Sequence, residues 1–316
     1  VGNLEGIRPF RALVDNVRVY DVALSAEQVT ALYEADEPRA LQLSELPIQV
    51  KADAPDLRHS DVCFSTRWDR KDAVEAAGSF GATRALWVYT TSAPFVAALH
   101  AAVPTVQGAI NSIPRTEDLS AYCEDLDGKK LVAPWMVTFD EKNPVKWGCS
   151  NQPAYREVLL ESARKALDAG VDWIQFDDWA LIVSAHGWGG GCMCDRCQEA
   201  FTDYLRTVPR ERLQAAGIEG PEGFTYRAYL REHGITDAAG YKQRRSSLPA
   251  TPLWEDFQRR SVRTFFGDLR AELDKHAGRR VPLSINTNLQ NPSQRQNFIA
   301  DLVDFCLGET WSDELE

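Results

Sequence analysis

The chain has 316 residues, 44% of them hydrophobic and 26% charged, with a formal net charge of −11. That is the composition of a water-soluble globular protein; the acidic balance argues against nucleic acid as a partner, because a phosphate backbone demands a basic face. No run of about 18 apolar residues is present to form a membrane span.

The first 36 residues read as a unit of their own. Val1 stands where a Met would open a complete chain, and the pattern begins midway, so the sequence is expected to lack its natural start. Val14 to Tyr20 alternates as a short strand, and Ser25-x-x-Gln28 is a helix-start signal ahead of a short amphipathic helix. The stretch ALVDNVRVYDVALSAEQVTALYEAD resembles the last strand and closing helix of laminin G-like, concanavalin A-type jelly rolls. The resemblance implies that residues 1–36 are the C-terminal remnant of a β-sandwich module, a class that often binds carbohydrate. Residues 37–55, with EPRALQLSELP, read as a linker to a larger domain over 56–316.

From about residue 56 strands alternate with helices. The candidate strands are Asp61–Arg67, Arg84–Thr90, Thr105–Asn111, Leu131–Phe139, Val171–Asp177, Val281–Asn286 and Leu302–Gly308. Between them, 155–169 repeats Val158, Leu159, Ala163, Ala166 and Leu167 on one helical face and stops at Gly170. The segment 252–276 repeats Leu253, Phe257, Val262, Phe265, Phe266, Leu269 and Leu273 at the same period. Strands apolar on both faces imply a parallel sheet covered by helices. Their ends, STRWD, YTT, NSIP, FDDW, NTN and GETW, are polar or aromatic, as at the rim where a (β/α)8 TIM barrel builds its active site. A doubly wound sheet is the alternative, but no glycine-rich phosphate loop follows any strand. The strand around Cys306 would be about the sixth of eight, so the barrel is expected to be incomplete within this sequence.

Seven cysteines are present, an odd number. Three lie between 192 and 197 as C-x-C-x-x-C, and Cys63, Cys123, Cys149 and Cys306 are scattered. A chain long enough for a core needs no disulfide framework, so the cluster reads as a metal site. Tetrahedral zinc takes four sulfur or nitrogen ligands: Cys192, Cys194, Cys197 and either Cys149, from the loop after a neighbouring strand, or His186. Cys149 is the preferred fourth ligand. A closed set of four sulfurs leaves no position for water, so such a zinc would be structural.

The order of acidic strand end, loop, C-x-C-x-x-C and then Ala200-Phe201-x-x-Tyr204-Leu205 resembles the zinc-bearing family 42 β-galactosidases and related hypothetical glycoside hydrolases. In those proteins a further cysteine precedes N-x-P-x-Y-R, as Cys149 here precedes Asn151, Pro153, Tyr155 and Arg156. The resemblance implies a TIM barrel, a structural zinc and action on O-glycosidic bonds. It departs at the strand end, where the family carries Asn-Glu and this chain carries Asp177-Asp178, so the catalytic assignment does not transfer.

Glycoside hydrolysis needs two carboxyl groups flanking one bond. Asp177 and Asp178 are the first candidates. Strand alternation sends their side chains to different sides, so one of them faces the barrel mouth. Glu309 in LGETW is the second candidate. If 131–139 is an extended loop, FDD closes the fourth strand and GET the sixth. That arrangement resembles α-galactosidase and α-fucosidase barrels, with an aspartate nucleophile on the fourth strand. Asp140 and Glu141 are weaker candidates, in a turn. Trp173, Trp179 and Trp188 surround the aspartates, and indole rings suit flat sugar faces. Arg67, Trp87, Trp179, Asn286, Asn288 and Trp311 are candidate substrate-binding residues. The expected function is therefore a glycoside hydrolase with a carbohydrate substrate, secreted or periplasmic. The rivals are a non-catalytic carbohydrate-binding barrel and a zinc-dependent hydrolase.

Overall fold

Six strands carry the larger unit: β1 (Cys63–Ser65), β2 (Arg84–Val88), β3 (Thr105–Asn111), β4 (Trp173–Asp177), β5 (Leu283–Thr287) and β6 (Phe305–Gly308). They were located in a computed structural model that describes residues 25–28, 31, 60–66, 69–70, 72–113, 116–132, 144–177, 190–287, 299 and 301–308. The chain divides into two units, Pro55–Glu309 and Val1–Ala54 with Thr310–Glu316. In the second unit Ser25 and Gln28 form the reciprocal cap that their spacing predicts. The Ser25 backbone N–H donates to Gln28 Oε1 at 2.8 Å, and the Gln28 N–H donates to Ser25 Oγ at 3.3 Å. The proposed jelly-roll strand, Val14 to Tyr20, and the linker at 37–55 lie outside the described residues.

All six strands are parallel and stand side by side in chain order, β1-β2-β3-β4-β5-β6, as a half-barrel. A doubly wound sheet would reverse its order at a switch point. Here each crossover steps in the same direction, which is barrel winding. The inner face shows the same habit. In a barrel the side chains of one layer come from alternate strands. Gln107 of β3 meets Ser284 of β5, and Trp173 of β4 meets both Arg84 of β2 and Phe305 of β6.

β3 pairs directly with β4, so no strand stands between them; most of the candidate strand 131–139, from residue 133 on, lies outside the described residues. Its described residues, Leu131 and Val132, belong instead to an excursion between β3 and the next helix. Val132 there makes an isolated antiparallel bridge with Lys146. Asp177 therefore ends the fourth strand, and Gly308 the sixth.

The outer face of the sheet is covered by α1 (Ala73–Ser79), α2 (Ala93–Ala102), α3 (Pro153–Asp168) and α8 (Thr251–Ala277). Between the cysteine loop and α8 come α4 (Asp195–Leu205), α5 (Arg210–Ala215), α6 (Tyr226–Glu232) and α7 (Ala238–Arg244). Helix α3 starts where Pro153 can occupy the first turn without losing a hydrogen bond. Helix α8, at 27 residues about 40 Å long, buries all seven of the apolar residues noted in its sequence. Phe176 of β4 meets Phe266 of α8 edge to face at 5.6 Å, and Tyr155 of α3 packs on Phe265 at 5.7 Å. The core thus lies between sheet and helices, and the outward residues of β4, Ile174 and Phe176, belong to it. Trp173, Gln175 and Asp177 take the other face by alternation.

Candidate functional site

Asp177 is the last residue of β4, so its carboxylate stands at the C-terminal rim of the sheet. Both of its oxygens are held. Asn286 of β5 donates from Nδ2 to Oδ1 at 2.9 Å, and the Tyr89 phenol, one residue past β2, donates to Oδ2. A carboxylate with a charge-assisted bond on each oxygen cannot rotate freely. Trp87 lies beside this pair, its indole 6.3 Å from the Tyr89 ring between centroids. Trp87, Tyr89, Asp177 and Asn286 are all partly exposed, as a surface open to a ligand requires.

Three candidates thus come together: Asp177, Asn286 and Trp87. Asp178, Trp179, His186, Trp188, Arg67, Asn288, Glu309, Trp311, Asp140 and Glu141 lie outside the described residues. Trp173 does not belong to the rim. It opens β4 at the opposite end of the strand, is 2% exposed and packs on Phe305 at 4.1 Å. Proximity in sequence to Asp177 placed it near the site; four residues of strand, about 13 Å of rise, carry it away.

Tyr89 escaped the sequence reading for a structural reason. Simple alternation from Ala85 would put residue 89 on the helix-facing side. The β2–β3 register shifts between Ala85 and Val88, and Trp87 has φ +58, the one positive φ of a non-glycine residue among those described. Nothing in RALWVYT marks the extra residue.

The cysteines form a second, separate cluster. Sγ atoms of Cys149, Cys192, Cys194 and Cys197 all lie within 4.8 Å of one another, and all four residues are buried. Cys149 is 3.5 Å from Cys197 and 4.0 Å from Cys194, sulfur to sulfur. Tetrahedral zinc at about 2.3 Å from each sulfur separates its ligands by about 3.8 Å, so the spacing fits such an ion. Asn151 Nδ2 donates to Cys197 Sγ at 3.3 Å and Gln152 Nε2 to Cys194 Sγ at 3.4 Å. Donors of this kind offset the charge of a tetrathiolate centre.

The packed thiols divide one another's charge. The neighbouring Cys123 thiol lowers the Cys149 thiol to about 6, while Cys197, in contact with the Cys149 sulfur, is pushed well up. Burial pushes up Cys123 as well, and its S–H points to the Gly148 carbonyl at 3.1 Å. All four thiolates can coexist only around a cation.

Two glycines make the approach possible. A Cβ at Gly148 would stand 2.3 Å from the Tyr155 ring, and one at Gly190 2.0 Å from Tyr241. Gly190 also has φ +88, and its carbonyl accepts from Tyr241 Oη and Trp254 Nε1, both at 2.9 Å. The backbone thus enters the cluster between two aromatic rings. The site is closed and buried, and it holds the loop after β4 to α3 and to the excursion, where the Met193 N–H donates to the Glu124 carbonyl at 2.7 Å.

No family model matches the chain, and no curated protein matches it. Among solved structures the chain is similar to Ega3 of Aspergillus fumigatus, crystallised in complex with galactosamine. The identity is 10% and the TM-score 0.38; the match covers 78% of this chain and 64% of that one. The chain therefore spans less than two thirds of that protein's length. So distant a likeness leaves the rim to be interpreted through its own residues.

Proposed function

We propose that the chain is a glycoside hydrolase in which Asp177 is the catalytic carboxylate of the fourth strand and Glu309 its partner from the end of the sixth. The observation that carries this reading is Asp177 itself. It is a rim carboxylate anchored through both oxygens by Tyr89 and Asn286, with an indole alongside. Glycosyl transfer through an oxocarbenium-like transition state needs a carboxylate held in one orientation, and an aromatic wall suits the apolar face of a pyranose. Asp178, Arg67, Trp179, Asn288 and Trp311 are proposed to complete the substrate-binding rim. The ligand of the four cysteines is proposed to be a structural zinc ion. The substrate is a carbohydrate, and the protein is secreted or periplasmic.

The test is turnover by the full-length protein of aryl glycosides and plant or algal oligosaccharides, with D177N alongside. Asn keeps the shape of the side chain and one acceptor oxygen, so the variant should fold and melt as the parent does. Its turnover should fall by about three orders of magnitude or more, since a carboxamide can neither attack nor balance positive charge. A D177N variant with parental turnover would remove Asp177 from the mechanism. Sugar binding without cleavage by the parent would favour the binding-module reading instead.

A further inference from the structure

We propose that Gln107, wholly buried beneath the rim, is a positioning residue: it holds a one-residue bulge in β2 that turns Tyr89 onto Asp177. The bulge is visible in the register. Ala85 pairs with Val106 and Val88 with Gly108, so Leu86 and Trp87 together stand opposite Gln107 alone. Bulges in parallel pairs are rare and locally re-aim side chains.

The consequence follows from alternation. On β3, Gly108 faces the helices, because a Cβ there would meet Val171 and Ala166. Gln107 and Ala109 therefore face inward. Without the extra residue, Trp87 would pair with Gly108 and point at the helices, and Tyr89 would fall opposite Ile110 and do the same. With it, Val88 takes the helix-facing place, fully buried, and Tyr89 moves to the inner face with Asp177. A shift of one residue exchanges the two faces of everything downstream.

Such a bulge has a conformational cost and an orphan donor. Trp87 sits in the left-handed region, where a bulky residue is a true outlier. Its N–H is met by the side chain directly opposite: Gln107 Oε1 accepts it at 3.0 Å. The other end of that amide donates from Nε2 to Ser284 Oγ on β5 at 3.1 Å. Gln107 and Ser284 are both 0% exposed. The amide is thus pinned at both ends, and it pins the bulge.

The proposal rests on the catalytic reading of Asp177 only for its kinetic consequences; the link from Gln107 to the bulge can be tested apart from it. The variants are Gln107→Leu, Tyr89→Phe and the double substitution in the full-length protein, with a crystal structure of Gln107→Leu. In that structure Trp87 should leave the left-handed region and Tyr89 should lose Asp177. In kinetics on whichever glycoside the parent cleaves, each single variant should lower kcat by about ten- to a hundred-fold, the scale of a misplaced group. KM should change less, and the double variant should lose no more than the worse single one. An unchanged bulge in Gln107→Leu, or losses that multiply in the double variant, would overturn the proposal. If Gln107→Leu does not fold, Ser284→Ala decides by the same two readings, since it removes only the hydroxyl that anchors the amide. A parent that cleaves no glycoside sinks the catalytic reading, and the crystal structure then decides this one alone.

Discussion

Asp177 and Cys149 are both fixed by neighbours on other elements, and the two sets of neighbours predict different failures. Asn151 and Gln152 each donate to a sulfur, so removing one donor should weaken binding of the proposed metal without opening the fold. For Asn151→Leu we expect metal affinity to fall by about ten- to a hundred-fold, measured by competition with a chromophoric chelator; unaltered affinity would mean the Asn151 contact is incidental. Asp177 and Asn286 were legible in the sequence because they sit at strand ends, where rim chemistry is expected. Cys149 was legible from its place before Asn151-x-Pro153. Tyr89 and Gln107 were not. Tyr89 depends on an extra residue that alters no local composition, and a glutamine in a buried strand announces nothing until the group opposite it is known.

At the scale of elements, the base of β5 and β6 depends on one buried carboxylate. Asp304, with a side chain 0% exposed, accepts from Arg270 of α8 at 2.8 Å, from Arg280 at 2.6 Å and from the Leu283 N–H at 2.8 Å. Burial alone would push its carboxyl up; the Leu283 N–H and the two guanidiniums outweigh that and hold it below its ordinary value. Asp304→Asn should therefore destabilise the protein by about 3 kcal/mol, the lower end for breaking a buried pair because Arg280 keeps solvent contact. The sign with pH is fixed by the lowered value. This stabilisation is present above the unfolded carboxyl value near 3.8 and is lost as pH falls through the folded one. Urea melts of parent and variant should differ at pH 7 and converge below about pH 4; a gap that persists undiminished in acid would contradict the assignment. The elements themselves were well marked. Thr105–Asn111 forms a strand over its full predicted length, and 252–276 lies within α8. LVAPWMVTF at 131–139 is as apolar and β-branched as a true strand, yet β3 has no free edge to offer it on the side where β4 pairs. Helices α5 to α7 were not anticipated, since their seven residues or fewer hold too few turns for a clear period.

For the molecule as a whole, strand order was implied by the alternation of strands and helices, and the separate roles of cysteines and aspartates by their residue types, while the elements that support each site were not. The cysteine cluster gathers the start of α3, the entry to α4 and, through Gly190, the aromatic packing of α7 and α8. Phe201, Tyr226 and Trp254 continue that packing, with ring centroids 4.5 to 5.7 Å apart. The inserted helices therefore share their support with the cysteine loop. Asp177 is anchored by β2 and β5 instead. Withdrawal of the metal should then act on stability before it acts on chemistry. Four buried sulfurs without a cation must take up protons, so metal release should be favoured as pH falls, since thiolates are the binding form. We expect about one zinc per chain by elemental analysis and a melting temperature lowered by about 5 °C or more after chelation, because a metal bound only by the folded state stabilises it by mass action. Cys194→Ser should mimic the chelated protein. Turnover per folded molecule, obtained by scaling activity to the folded fraction at each temperature, should stay within about twofold of the parent while the site remains closed to substrate. A loss of turnover at full folding would place the metal in the reaction, and recovery of stability only on adding back zinc would identify the ion that the four sulfurs hold.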